Sequence, residues 1–207
     1  NALITNNKAI SGNQGGAIVN TTSVGNTGSM KIMNSTIANN HGVTVDGIVQ
    51  SEANNSNLYL TIVNTIFSHL NGNYSVEYGT PEVISLGGNL SSDLSLQLDL
   101  THNMDQNQAN ALFVDEVNDN FKLLPQSSAI DAGIAGQGTS TDIEGTFRIG
   151  TPDAGAYEAI STGTVGTNGV LGANSDVKTF PNPATDYTAL EINNDWRGDV
   201  TIQVVNM

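Results

Sequence analysis

Short runs of alternating apolar and polar residues recur along residues 1–90. The two clearest copies are SMKIMNSTIANNHG, at Ser29–Gly42, and LYLTIVNTIFSHLNG, at Leu58–Gly72, and a partial copy covers Ala2–Asn20. In both clear copies an alternating run ends at an Asn followed by Ser or Thr, and a second apolar run is followed by Asn and Gly. Alternation with a period of two predicts β-strands rather than helices.

The spacing of the copies predicts a solenoid. The equivalent residues Asn34 and Asn64 are 30 positions apart, and periods of about 20–50 residues are typical of stacked repeats. Short strands interrupted by Asn and Gly fit a parallel β-helix, because Asn enters the left-handed backbone region at little cost. An antiparallel sandwich with Asn-rich loops is the alternative.

Stacked coils predict an amide ladder and a narrow apolar core. The side chains of Asn34 and Asn64 are expected to lie one above the other and to hydrogen-bond to each other. The residues expected to point inward are aliphatic: Ile32, Ile37, Val43, Val45, Ile48, Leu58, Leu60, Ile62 and Ile66.

The composition of the chain argues against several classes of function. Charged residues make up 13% of the chain, and its 27 asparagines indicate a surface of short neutral side chains. The net charge of −14 argues against nucleic acid and anionic lipid as electrostatic partners. No apolar run is long enough for a transmembrane segment, and the absence of Cys excludes disulfides and thiolate chemistry. Both termini lie in strand-like runs, so we expect a segment of a longer protein.

After residue 84 the pattern changes to three motif blocks. These are SLGGNLSSD at Ser85–Asp93, ALFVDEVNDNFKLLPQSSAIDAG at Ala111–Gly133, and TDIEGTFRIGTPDAGAYE at Thr141–Glu158. Together and in order they resemble the end of the choice-of-anchor Q domain family, with Gln126 and Ser128 in place of its usual Gly and Pro. The resemblance covers about residues 1–158.

This resemblance implies a right-handed parallel β-helix over residues 1–90, a C-terminal capping region over 91–158, and a secreted or surface location. It implies no defined activity. The matching residues to which we assign a structural capping role are Gly87, Gly88, Asn89, Asp93, Phe113, Asp115, Asp131, Gly133, Asp142, Arg148, Asp153, Tyr157 and Glu158.

The capping region offers three interpretations of its acidic residues. A solenoid end exposes apolar core and strand edges, so LFVD and FKLLP are expected to close the last coil. Asp131, Asp142 and Asp153 recur every 11 residues. In the first interpretation their side chains cap turns, and Arg148 bridges two of them. A carboxylate pair for glycosidic cleavage is the second interpretation.

Calcium binding is the third interpretation. Crowded oxygen ligands suit Ca²⁺, and the segment DEVNDN offers Asp115, Glu116, Asn118 and Asp119. No cofactor is expected apart from this calcium alternative.

No catalytic residue is assigned in this chain. The carboxylates in the repeat region that a glycoside hydrolase would use have no consistent spacing: Asp46, Glu52, Glu77 and Glu82. His41 and His69 lie near the ends of the two clear repeat copies and are expected near each other on one edge, as packing residues or, alternatively, metal ligands. A polysaccharide lyase or glycoside hydrolase with its active coils upstream of residue 1 remains the alternative function.

Residues 159–176 are predicted to be a flexible linker, because they are rich in Gly and Thr and carry only Asp176 as a charge. Residues 177–207 then begin a β-sandwich. Pro-Asn-Pro forces an extended entry, and TALEI and VTIQVV alternate as strands around the turn NNDWRGD. A generic immunoglobulin-like domain is the alternative.

The entry to this domain resembles the start of the type A C-terminal sorting domain of the type IX secretion system of Bacteroidota. The residues that carry the match are Phe180, Pro181, Asn182, Pro183, Ala184 and Asp186. The resemblance implies export across the outer membrane and three partners: an outer-membrane translocon, a β-barrel shuttle and a sortase-like protease. We therefore expect a cargo cleaved between Ala159 and Val177. Its expected function is that of an adhesin or a carbohydrate-binding or structural surface protein, with surface glycans as partners.

Overall fold

The chain divides into two compact units, Asn1–Ile160 and Ser161–Met207. The computed structural model describes most of the first unit and two backbone segments of the second. The described residues are 1–11, 15–96, 98, 105–107, 109–148, 150–159, 177–180 and 189–192.

Strands dominate the described part of the first unit, whose only helical element is one 3₁₀ turn at Glu116–Asn118. The all-β prediction is therefore confirmed. The strands are β1 (Ala2–Thr5), β2 (Ile18–Thr21), β3 (Thr27–Met33), β4 (Ser35–Ala38), β5 (Ile48–Ser51), β6 (Asn57–Val63), β7 (Ile66–Ser68), β8 (Tyr74–Tyr78), β9 (Glu82–Ser85), β10 (Leu90–Ser91), β11 (Gln106–Asn107), β12 (Phe113–Asp115) and β13 (Asn120–Leu123).

Strands β1 to β11 form three parallel sheets, and through β10 every third strand joins the same sheet. The strand orders are β1-β4-β7-β10-β11, β2-β5-β8 and β3-β6-β9. The strands β12 and β13 form a separate antiparallel pair. Since the repeat region pairs in parallel, the antiparallel sandwich considered above is wrong.

The register of the sheets reproduces the sequence period. Thr27 pairs with Asn57, and Ile18 pairs with Ile48, each 30 residues later in the chain. Like residues therefore fall beside like residues on neighbouring strands, for example Ile32 beside Ile62. The 30-residue period is thus the offset of the pairs β2–β5, β3–β6 and β4–β7, whereas β1–β4 is offset by 33 residues and β6–β9 by 23.

An inner core lies between the three sheets. Its buried members are Ile32, Ile37, Ile48, Leu60, Ile62, Phe67, Leu96 and Leu98. Most of the aliphatic residues expected to point inward are buried, but Val43 is 53% exposed. Val43 lies in the turn between β4 and β5, where the alternation that predicts a buried face no longer applies.

A second, outer core covers the opposite face of the first sheet. Alternate residues of its strands, including Ala38, Ile66 and Leu90, pack there against Phe113 and Phe121. Ile66, expected to point inward, belongs to this outer core, and its neighbour Phe67 occupies the inner one. A sheet buried on both faces shows no polar face, which is why the alternation failed here.

The segment that supplies the outer core, residues 109–148 and 150–159, is called the strap below. The Phe113 and Phe121 rings meet edge to face with centroids 5.3 Å apart, and they pack against β4, β7 and β10. The expectation that LFVD and FKLLP close the last coil is therefore wrong. They lie along the flank of successive strands, whereas Leu96 and Leu98 join the inner core.

Asparagines make the corners of the described fold as the sequence predicts. The asparagines with positive φ, from 44° to 56°, are Asn6, Asn34, Asn39, Asn55 and Asn64. Asn tolerates this left-handed region better than other residues with a Cβ, because its short polar side chain hydrogen-bonds locally.

In the second unit, β14 (Val177–Phe180) pairs antiparallel with β15 (Ala189–Ile192), and Phe180 lies opposite Ala189. The strand predicted at TALEI is confirmed, and the strand at Val177–Phe180 was not expected. The strand predicted at VTIQVV lies outside the described residues. No helix in the described part of the chain is long and apolar enough to span a membrane.

Candidate functional site

Two corner asparagines hold the strap. The Asn64 amide accepts a hydrogen bond from the Ile134 N–H at 2.7 Å and donates one to the Ile134 carbonyl at 3.1 Å. One repeat earlier, Asn34 accepts a bond from the Thr139 N–H at 3.0 Å. The expected ladder between Asn34 and Asn64 is therefore wrong, because these amides bind the strap backbone instead.

A second stretch of the strap binds the same sheet. The Ala156 N–H donates to the Thr36 hydroxyl at 3.0 Å, and the Gly155 N–H donates to the Asn64 carbonyl at 2.9 Å. Gly155 has a φ of 98°, and a Cβ there would lie 2.6 Å from the Ile66 side chain. Residues with a Cβ rarely adopt this positive φ, so the position requires glycine.

A buried ion pair fixes the end of the strap. The Arg148 guanidinium lies 2.9 Å from the Glu158 carboxylate, and the two side chains are only 3% and 9% exposed. Arg148 also donates to the carbonyls of Asp153 and Gly155, at 3.0 and 2.7 Å. The expectation that Arg148 bridges two aspartates is therefore wrong, because its carboxylate partner is Glu158.

Burial dominates the electrostatics of this pair. Loss of hydration lowers the pKa of Arg148 and raises the pKa of Glu158, while the attraction between them opposes both shifts. Burial also raises the pKa of Asp153, against the hydrogen bonds that its carboxylate accepts. The charges of these groups are thus stabilised by contacts within the protein rather than by water.

Two aspartates of the strap accept backbone hydrogen bonds. The Asp142 carboxylate accepts from the N–H groups of Glu144, Thr146 and Glu158 at 2.8–3.0 Å. The Asp153 carboxylate accepts from Asp131 at 2.8 Å and from Ala159 at 2.6 Å. Asp131 itself is exposed and has a φ of 52°.

The calcium candidates lie in and around the 3₁₀ turn. Asp115 caps the turn, accepting from the backbone and side chain of Asn118 at 3.3 and 2.7 Å. Asp119 follows the turn with a φ of 61° and accepts a hydrogen bond from the Asn6 amide. The Glu116 carbonyl accepts from Asn39 at 3.3 Å. Within the described residues, no group of three or more His, Asp or Glu side chains is arranged to hold a metal ion.

The remaining residues assigned to the cap are spread over the unit. Gly87 and Gly88 have φ values of 102° and 70°, and a Cβ on Gly88 would lie 2.4 Å from the Asn64 amide oxygen. Tyr157 packs against the outer core. The others make hydrogen bonds: Asn89 to Asp105, Asp93 to Asn73 and Ser95, and Gly133 to Pro152.

The acids considered for hydrolysis do not converge on one site. Asp46 is buried and accepts from Gly42 and Asn71 N–H groups, and Glu52 is buried and accepts from Thr80. Glu77 lies in β8 and Glu82 in β9, both exposed. Each carboxylate thus belongs to its own local contacts.

The two histidines occupy different environments. His41 is exposed, with its Nδ1 3.6 Å from Asp46, whereas His69 is buried between Asn40 and Asn73. Their side chains are bonded to different groups, so the structure does not bring them together as a ligand pair.

The sorting-signal residues are only partly described. Phe180 ends β14, and Pro181, Asn182, Pro183, Ala184 and Asp186 lie outside the described residues, as does most of the predicted linker.

An open depression of about 600 Å³ lies beside β11. Its lining consists mainly of amide and other polar side chains, with two apolar residues: Asp105, Gln106, Asn107, Ala109, Asn110, Leu112, Gln126 and Ser128. Gln106 donates to the Ser128 carbonyl at 3.2 Å and Asn107 to the Leu98 carbonyl at 2.8 Å. The sequence does not indicate this surface, because five of its lining residues lie in the polar stretch between two motif blocks, at Asp105–Asn110.

Comparison of the chain with protein-family models, with curated proteins and with solved structures finds no match.

Proposed function

We propose that the first unit is a right-handed parallel β-helix and serves as the scaffold of a secreted or cell-surface protein. The observation that supports this most strongly is the strand order, in which β1, β4, β7 and β10 pair successively while the two other sheets repeat the same step. One coil would then comprise three strands and three corners. A rigid stack of this kind is an extended surface for display or adhesion.

The proposed role of the strap is to seal the flank of this scaffold. It covers the apolar outer face of β4, β7 and β10 and binds the corner residues Asn34 and Asn64. Without the strap these strands would expose aliphatic side chains to water. The scaffold therefore needs the strap in place before it functions outside the cell.

Export is proposed to use the second unit as a removable sorting domain of the type IX system. Two features support this. The motif around Pro181 and Pro183 follows a linker-like stretch, and the strands that flank the motif, β14 and β15, pair with each other. The proposed partners are the translocon, shuttle and sortase-like protease named above.

Intact-mass measurement and peptide mapping of the native protein, from cells and from the medium, test the export proposal. We expect cell extracts to contain residues 178–207 and the surface or secreted form to lack them, with a new C-terminus between Ala159 and Val177. A mature surface protein that retains Phe180 to Met207 would contradict this proposal, and the second unit would then be part of the working protein.

Glycan binding is the activity that the depression beside β11 favours. Amide groups donate and accept hydrogen bonds to hydroxyls, and Ala109 and Leu112 provide an apolar contact for a sugar ring. Asn110 and Gln126 are exposed at its rim. We therefore propose a neutral polysaccharide as the ligand, since an acidic one would be repelled by a chain of net charge −14.

A polysaccharide panel tests this activity. We expect retention of the protein without release of sugar, and about tenfold weaker retention for the variant Asn110→Ala/Gln126→Ala, corresponding to about 1.4 kcal/mol. Gln137→Ala is the matched control, because Gln137 is an exposed strap amide outside the depression. Equal retention of all three proteins would contradict the proposed site. Release of sugar by the full-length protein would favour the alternative, a glycan-active enzyme with upstream coils.

A further inference from the structure

A row of polar side chains crosses the first sheet at the corners that follow its strands. Asn7 follows β1 and donates to the Asn40 amide oxygen at 2.8 Å, and Asn40 follows β4. The Asn40 amide nitrogen lies 3.1 Å from His69 Nε2, and His69 Nδ1 lies 2.9 Å from the Asn73 amide oxygen. Asn73 then donates to the Asp93 carboxylate at 3.1 Å. The row thus joins four successive corners.

The neighbours of Asn40 fix its orientation. Its amide nitrogen faces the carbonyls of Ile4 and Ala38, at 2.8 and 3.0 Å, and its oxygen accepts from both nitrogens of Asn7. An amide turned the other way would place its oxygen against two carbonyls. The atom that Asn40 presents to His69 is therefore a donor.

The orientation of Asn73 is fixed in the same way. Its amide nitrogen faces Ser91, Ser92 and Asp93 oxygens at 2.9–3.1 Å, so its oxygen faces His69. The imidazole consequently meets a donor at Nε2 and an acceptor at Nδ1. Only the neutral ring with its proton on Nδ1 satisfies both neighbours.

We propose that His69 is an acid-sensitive lock, whose protonation at Nε2 breaks the bond to Asn40 and loosens the 69–73 turn from the 39–47 turn. A proton on Nε2 would point at the amide hydrogens of Asn40, so one of the two side chains must move. His69 is 8% exposed and Asn40 is 4% exposed. Water therefore cannot replace the lost bond until the corner opens.

Burial and the charged groups that face the ring have opposite effects on the pKa of His69. Burial lowers the pKa of His69 below its usual value of 6.5. It outweighs the hydrogen bond with Asn73 and the charges of Asp46, in the 39–47 turn, and Asp93, after β10, which all raise that pKa. His41 lies beside Asp46, 3.6 Å away. The remaining partners, Asn40, Asn73 and Ser92, are uncharged.

The sign of the pH dependence follows from the lowered pKa of His69. A base whose pKa is lower in the folded state binds its proton more readily in the unfolded or opened state. The stabilisation by His69 is complete above about pH 6.5 and is lost as the pH falls from there through the folded-state pKa. Within this window the opening equilibrium constant increases by up to about tenfold per pH unit.

His69→Gln is the decisive variant, because a Gln side chain can accept from Asn40 and donate to Asn73 without titrating. Amide hydrogen exchange of the full chain, corrected for intrinsic rates, is measured at pH 7.5 and pH 5.5. We expect opening of residues 39–47 and 69–73 to increase at the lower pH, by up to about tenfold, in the wild type and to change less than twofold in the variant. His41→Gln is the control and should behave as the wild type.

Titration of the His69 ring by NMR in the wild type tests the same proposal without any variant. We expect an Nδ1-protonated tautomer at pH 7.5 and a midpoint below pH 6.5. A midpoint at or above 6.5, an Nε2-protonated neutral ring, or pH-independent exchange of the 69–73 turn would overturn the proposal, even if His69→Gln does not fold.

Discussion

Replacing Glu158 with Ala is expected to lower the free energy of unfolding by about 3–5 kcal/mol, because it leaves a buried guanidinium without its counterion. Arg148 is 3% exposed, and the two carbonyls that it also contacts do not neutralise its charge. The Asp153 N–H loses an acceptor as well, since it donates to Glu158 at 3.0 Å. Urea unfolding monitored by circular dichroism measures the change.

Glu158→Gln separates charge from packing in this pair. The amide oxygen of Gln can still accept from Arg148 and from the Asp153 N–H, but it carries no charge. We expect a loss intermediate between those of the wild type and Glu158→Ala. If the free energy of unfolding of Glu158→Ala is within about 1 kcal/mol of the wild-type value, the pair behaves as a solvated surface salt bridge. The proposed stabilisation by a buried Arg148–Glu158 ion pair would then be wrong.

Replacing Asn64 with Ala is expected to cost about 2–4 kcal/mol. The substitution removes the two hydrogen bonds to the N–H and the carbonyl of Ile134, and each contributes about 0.5–1.5 kcal/mol at this half-buried position. It also places an alanine at a φ of 49°, which adds about 1 kcal/mol of backbone strain. Equilibrium unfolding measures the sum, and hydrogen exchange of the Ile134 amide reports release of the strap.

Two variants divide this loss into its causes. Asn64→Gly removes the side chain but accepts the left-handed backbone, so it should retain about 1 kcal/mol of the stability lost by alanine. Asn55→Ala is the matched control, because Asn55 has a similar φ of 54° and is exposed. We expect Asn55→Ala to cost about 1 kcal/mol of strain alone. Equal losses at Asn55 and Asn64 would mean that the strap contacts contribute nothing.

Local rules explain the part of the fold that the sequence predicts. Alternation over Thr27–Met33 and Asn57–Val63 identifies strands with one buried face, and the 30-residue spacing becomes their register. The left-handed corners at Asn34 and Asn64 follow from the chemistry of Asn. Each of these features depends on residues that are close together in the chain or in equivalent repeats.

Long-range contacts explain what the sequence does not predict. Asn64 binds a residue 70 positions away, and Asn34 binds one 105 positions away. The repeat therefore does not predict that these amides bind the strap rather than each other. Ile66 and Phe67 are successive residues of β7 and both are buried, so no alternation remains to assign them to the outer and inner cores. Asn7 and Asn40 occupy the preceding corners of the polar row, whereas the next corner has His69. Because the residue type changes, the repeat does not predict that His69 belongs to this row.

Cross-linking of paired strands tests the stacked-coil account most directly, and the chain favours this measurement because it contains no native Cys. Lys31 and Thr61 are register partners on β3 and β6. Neighbouring strands lie about 4.8 Å apart, which is within the range of about 4.4–6.8 Å between Cα atoms that a disulfide spans. Asn57 pairs instead with Thr27, which is four residues before Lys31 on β3. The Cα atoms of Lys31 and Asn57 are therefore too far apart for a disulfide. Lys31→Cys/Thr61→Cys should form a disulfide on mild oxidation, and Lys31→Cys/Asn57→Cys should not. The reverse outcome, seen by non-reducing peptide mapping, would contradict the parallel register and the proposed β-helix.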